Sequence, residues 1–188
     1  MTHERSRGAA TRGALGPAAA LLLLGCVACG PGPLPSSMSH PLAGGAAPEF
    51  ETESTAEAYV AVPGAGRTRV TVLDFWASWC AACDQTIPAL DVLFRDHKGD
   101  GVMVVGISID ATEGAAEARA RELGASFPIV NDPYQRIAGS YGVAQIPLTF
   151  VIDGAGRIRW VGRDPGSARR AVDVVLSEGA SRPRDVFE

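Results

Sequence analysis

An apolar, β-branched run, Arg69-Val70-Thr71-Val72-Leu73-Asp74-Phe75, is followed four residues later by Cys80-Ala81-Ala82-Cys83 and then by helical spacing to about His97. A strand, a short turn, two cysteines and a helix fit a layered α/β domain, because a strand apolar throughout has to be covered on both faces. In the first turn of a helix the unpaired backbone N–H groups and the positive end of the dipole stabilise an anion. Cys80 is therefore expected to have a lowered pKa and to exist partly as thiolate. Cys83, three residues on, should lie one turn deeper on the same face, within reach of a mixed disulfide formed at Cys80.

The flanking pattern extends this into one domain. Ile87, Leu90, Val92, Leu93 and Phe94 can supply a broad apolar helix face, and Pro88 within it predicts a kink because it removes a backbone donor. Val102 to Ile109 is a second continuous apolar strand. Thr112 to Leu123, rich in Ala, Glu and Arg, predicts a helix stopped by Gly124. Asp132-Pro133 opens a short helix to Tyr141 in the cap-then-proline arrangement. Leu148–Ile152 and Ile158–Val161 flank Asp153-Gly154-Ala155-Gly156 as an antiparallel hairpin. Asp164-Pro165 caps a last helix to about Ser177, with Val172, Val175 and Leu176 as its buried stripe. The expected fold is α/β, a central mixed sheet with helices on both faces, over residues 49–188.

Composition matters at the other end. With 188 residues there is room for one domain and some extra chain. The charged start (His3-Glu4-Arg5-Ser6-Arg7, Arg12) precedes an apolar core, Ala18 to Leu24, which reads as a secretory signal over residues 1–25. The apolar stretch from Ala14 to Ala28 is shorter than the roughly 20 residues a spanning helix needs. Leu23-Leu24-Gly25-Cys26 looks like a bacterial lipobox, making Cys26 the expected lipidation site, whereas Cys29 is a poorer candidate because Cys26 would stand where Leu is wanted. Residues 26–48, dense in Gly, Pro, Ser and Ala, are expected to form a flexible tether of roughly 25 Å root-mean-square span. His40 inside it reads as solvated. Seventeen basic against 21 acidic side chains, with no basic run beyond two, leave no electrostatic footprint for nucleic acid.

The residues from Val72 to Cys83, VLDFWASWCAAC, closely resemble the thioredoxin active-site strand and loop. Gln145-Ile146-Pro147, just before the strand at Leu148, looks like that family's cis-proline segment. The extra strand and helix between Ile109 and Tyr141 and the lipoprotein-like start make the TlpA/ResA-type envelope thioredoxins the subgroup it resembles. The resemblance covers roughly Arg67 to Glu178 and implies a thiol-disulfide oxidoreductase acting on periplasmic or cell-surface proteins. By position, Cys80 is the attacking thiol, Cys83 the resolving thiol, and together they are the redox-active disulfide. Asp74 matches the buried acid that takes the proton of the resolving thiol. Trp79 would shield the pair, and the backbone of Ile146 beside Pro147 would hold an extended client segment. The resemblance implies protein thiol or disulfide substrates and an upstream membrane electron donor, and it calls for no cofactor. Ala82 and Thr86 stand where many such proteins have Pro and Glu, and Leu148 where Thr is common. With Ala81 and Ala82 adding no charge or imidazole, the helix end alone favours the thiolate, which predicts a thioredoxin-like reducing potential.

Other readings compete. Asp74 also reads as a polar residue at a strand edge, Pro147 as a trans proline and Trp76 as core packing. A peroxiredoxin would carry Pro and Thr seven and three residues before its reactive Cys, where this chain has Leu73 and Ala77. A metal-binding module could use the thiolates of Cys26, Cys29, Cys80 and Cys83 for zinc, or Cys80 and Cys83 with His97 for copper. Because the first cysteine pair sits at the cleavage point across a tether, no metal is expected.

Overall fold

The computed structural model describes residues 32–64, 66–112 and 114–180. The signal segment, Cys26 and Cys29 lie outside the described residues. A two-stranded hairpin, β1 (Phe50–Glu53) and β2 (Tyr59–Val62), precedes the remaining elements. These are β3 (Val70–Trp76), α1 (Cys83–Asp96), β4 (Val102–Ser108), α2 (Ala115–Glu122), β5 (Ile129–Asn131), α3 (Arg136–Ser140), β6 (Leu148–Asp153), β7 (Ile158–Gly162) and α4 (Pro165–Ala180). The main sheet runs β5-β4-β3-β6-β7. Its β3, β4 and β5 are parallel neighbours, while β6 runs antiparallel to both of its neighbours, β3 and β7.

All seven residues of β3 are buried, and their period of two divides them between two cores. Val70, Val72 and Trp76 face α1, α2 and α4 through Ile87, Leu90, Leu93, Ala116, Ala120, Ala168 and Val172. Leu73 and Phe75 face the other way, onto Phe150, Tyr141 and the hairpin residues Val60 and Val62. Asp74 belongs by this alternation to the α1 side. Opposite it in register are Gly106 of β4 and Thr149 of β6. Gly106 is closely packed: a Cβ there would lie 2.9 Å from Ile129 Cδ1 and 3.0 Å from Trp76 Nε1, so those side chains would have to shift.

Several expectations shift in detail. The helix expected from Cys80 begins at Cys83, with Ala82 at its N-cap, so Cys80 lies in the turn ahead of it. The helix then runs through Pro88 as one element. Val92, expected on its buried face, is exposed, and Asp91 is buried instead, accepting from the backbone N–H and hydroxyl of Ser126. The short helix begins at Arg136, with Gln135 and not Asp132 at its N-cap position, although the Asp132 carboxylate still accepts from the N–H groups of Arg136 and Ala138.

The larger correction concerns the tether. From Leu34 to Pro48 the chain lies along β7 rather than loose in solvent. Met38 N–H donates to Val161 O at 2.9 Å, Gly44 N–H to Ile158 O, Ile158 N–H to Gly45 O, and Ala47 N–H to Gly156 O. Trp160 Nε1 donates to Ser36 O and the Tyr141 hydroxyl to Pro48 O. Leu34 packs on one core, and the His40 ring meets Phe150 edge-on at 5.1 Å. The physical reason is the edge of β7: an edge strand offers unpaired backbone groups, and this segment satisfies them.

Candidate active site

The turn between β3 and α1 carries the two cysteines. Cys80 N–H donates to Ala77 O at 3.1 Å and Cys83 N–H to Cys80 O at 2.9 Å, so the backbone folds tightly from 77 to 83. Cys80 and Cys83 form a disulfide with their Cα atoms 5.3 Å apart. Cys83 is fully buried and Cys80 is 8% exposed, which leaves Cys80 as the sulfur nearer solvent. Trp79 beside it is 68% exposed. No side chain caps the N-terminus of α1, so its positive end is not neutralised by a capping oxygen. Asp84, next after Cys83, is held by Arg119 of α2, whose Nη2 lies 2.6 Å from Asp84 Oδ2.

Asp74 is completely buried. Thr149 Oγ1 donates to its Oδ1 at 2.6 Å, while its Oδ2 has no partner. Burial pushes the Asp74 carboxyl up to about 7, with the Thr149 hydrogen bond working in the opposite direction. An acid so placed exchanges a proton near neutral pH.

On the neighbouring segment Pro147 is buried, Ile146 half-buried, and the Ile146–Pro147 peptide is cis. Gln145 before them is held by Arg163, Nη2 to Oε1 2.8 Å. Thr86 and Leu148 are both buried. Trp76 is core, fully buried beneath the cysteines' side of the sheet. His97 sits past the C-terminal end of α1, roughly 20 Å of helix from Cys83. There it lies 3.0 Å from Asp100 and 3.3 Å from Asp173. The structure therefore keeps His97 apart from the cysteines, and among the described residues no cluster of His, Cys, Asp and Glu is arranged to hold a metal ion.

Two features of this site escaped the sequence reading. One is the Arg119–Asp84 pair, which joins residues 35 apart. The other is Asp110, whose buried carboxylate accepts from the N–H and hydroxyl of Ser78. The phrase Ser108-Ile109-Asp110 at a strand end was the available signal, but it does not say what it faces.

Residues 43–161 match the AhpC/TSA family. The thiol-disulfide oxidoreductase ResA of Bacillus thuringiensis is 34% identical over 86 residues, 46% of this chain and 50% of that protein. The thiol:disulfide interchange protein HelX of Rhodobacter capsulatus is 36% identical over 126 residues, covering 66% of this chain and 69% of that protein. The chain thus spans about half the length of the ResA relatives it matches and more of HelX. Among solved structures, a Chlorobium tepidum protein described as thiol:disulfide interchange protein DsbE superposes with a TM-score of 0.64 at 28% identity, covering 74% of this chain and 99% of that one. StoA from Bacillus subtilis shares the fold, with a TM-score of 0.59 at 21% identity over 67% of this chain and 97% of that one.

Proposed function

The chain belongs to the AhpC/TSA family, and from its likeness to the thiol-disulfide proteins ResA and HelX we propose that it is a thiol-disulfide oxidoreductase of the bacterial cell envelope, reducing or exchanging disulfides in exported proteins. The observation that carries this reading is the Cys80–Cys83 disulfide at the uncapped start of α1, on the sheet face that also buries Asp74. In the reducing direction, the Cys80 thiolate attacks one sulfur of a client disulfide, forming a mixed disulfide and releasing the client's other sulfur as thiolate. The Cys83 thiol gives its proton to Asp74 and attacks Cys80 Sγ. The Cys80–Cys83 bond forms, the client's second thiolate leaves, and two electrons have passed to the client. Both client thiolates take up protons, one of them the proton held by Asp74. A membrane electron donor then returns the pair to dithiol.

Trp79, Ile146 and Pro147 form the client contact in this reading. The Trp79 ring covers the approach to Cys80, and the backbone of Ile146 pairs with an extended client segment. Cys26 carries the lipid that keeps the domain at the membrane, and among the described residues no helix is long and apolar enough to cross one. Peroxide chemistry fits less well: Leu73 and Ala77, where Pro and Thr would be needed, are buried apolar side chains. The test is Cys83→Ser in the full-length protein. Cys80 should then remain joined to client proteins as mixed disulfides that reductant releases, and Cys80→Ser should capture none. Equal capture by the two variants refutes the assignment of Cys80 as nucleophile.

A further inference from the structure

Asp110 stands two residues past the end of β4, only 3% exposed, and no Lys, Arg or His is paired with it among the described residues. Its charge is met by hydrogen bonds alone. Oδ2 accepts from the Ser78 N–H at 2.8 Å and from the Ser108 hydroxyl at 2.6 Å; Oδ1 accepts from the Ser78 hydroxyl at 2.6 Å. Ser108 Oγ in turn accepts from Asp110 N–H at 3.1 Å, which fixes the carboxylate's own strand end. Ile109 N–H donates to Trp76 O, so the backbone ladder between β3 and β4 runs up to the clamp. Ser78 is the second residue before Cys80 and is held at both of its donors.

We propose that Asp110 is a positioning residue for the thiol-disulfide reaction: by gripping Ser78 it keeps the Ala77–Cys80 turn in the geometry from which Cys80 and Cys83 close. The proposal rests on the Cys80–Cys83 couple described above. In the oxidised protein the disulfide itself restrains residues 80–83. In the dithiol that covalent link is gone, and the turn depends on the Cys80 N–H to Ala77 O bond, the Cys83 N–H to Cys80 O bond and the Asp110 clamp. Loss of the clamp therefore frees the dithiol more than the disulfide. The two sulfurs meet less often, their effective concentration falls, and the equilibrium shifts toward the dithiol.

The equilibrium is protein dithiol plus oxidised glutathione giving protein disulfide plus two reduced glutathione, read by acid quenching and mass measurement of the full-length protein. Losing a charged clamp should lower its constant about tenfold in Asp110→Ala. Ser78→Ala, which keeps the Ser78 N–H and Ser108 hydroxyl bonds to Oδ2 and removes only the donor to Oδ1, should lower it by less. Asp110→Asn, which still accepts from Ser78, should restore most of the parent value. Ser78→Ala also keeps the test valid if Asp110→Ala does not fold.

A clamp that only supported the fold would lower the stability of both redox forms alike, so constants within about twofold of the parent in every Ala variant that folds overturn the proposal. A shift in Asp110→Asn as large as that in Asp110→Ala also overturns it, because it would reflect the carboxylate's charge rather than its grip on Ser78. A parent protein with no reversible couple would instead overturn the oxidoreductase reading itself.

Discussion

Replacing Asp74 by Asn removes the charge and keeps the shape. In the folded protein the carboxyl is held up at about 7 from 3.8, and each unit of such a shift is worth about 1.4 kcal/mol. Ionising Asp74 in place therefore costs about 4 kcal/mol of stability relative to the unfolded chain. The folded-state value is the higher one, so the favourable contribution is fully present below about pH 4 and is lost as pH rises through 7. Asn keeps the hydrogen bond from Thr149 but places amide N–H groups where Oδ2 has no partner, at a cost of about 1–3 kcal/mol at every pH. The two stability curves should consequently cross: the variant less stable than the parent at pH 4, and more stable at pH 8 by about 1–3 kcal/mol. Urea unfolding of the oxidised protein at pH 4, 5, 6, 7 and 8 measures this directly. A stability difference that stays constant over that range would refute the burial of an ionisable Asp74. With a client joined to Cys80, the same variant should resolve the mixed disulfide at pH 7 about 100-fold more slowly if Asp74 is the proton acceptor for Cys83.

Trp79→Ala should change stability by less than about 0.5 kcal/mol, since the ring is 68% exposed. It should nevertheless raise the KM for a protein client several-fold, and unfolding curves with steady-state kinetics on one preparation check both. A chain begun at Phe50 should be less stable than one begun at Gly32 by about 3 kcal/mol, from lost burial of Leu34 and Ala47 and an exposed β7 edge. Equal midpoints in denaturant would show that the segment adds nothing. Cys26→Ser should move the protein from the membrane fraction to the soluble one, and retention in the membrane would exclude the lipid as its anchor.

The sequence was informative wherever the determinant was local. A strand buried on both faces, the Asp153–Gly156 turn and the Asp164-Pro165 cap all declare themselves within a few residues, and each element followed. It was silent where the determinant was distant. Residues 34–48 are too rich in Gly, Pro and Ser to order themselves, and only the edge of β7, more than a hundred residues later, gives their backbone partners. The hairpin of β1 and β2, four residues a strand, escaped for the same reason: its burial comes from Tyr141 and the far face of the sheet. Helix α1 begins three residues late because hydrogen bonds from Cys80 to Ala77 and from Cys83 to Cys80 make the cysteine segment a turn. At the site, the identity of the two cysteines was legible from their place between strand and helix. The burial of Asp74 was implied by the resemblance of its strand to the thioredoxin one, whereas its bond to Thr149 depended on strand pairing.

Cys80 and Cys83 are read as a reversible couple poised for reduction. Titrating the full-length protein across glutathione redox buffers, with acid trapping and mass measurement of the two sulfurs, tests it most directly. With Ala81 and Ala82 adding no charge between the sulfurs, the account predicts a two-electron couple near thioredoxin's, about −270 mV. A couple near −120 mV, roughly that of a strong dithiol oxidant, or no couple at all, would contradict it.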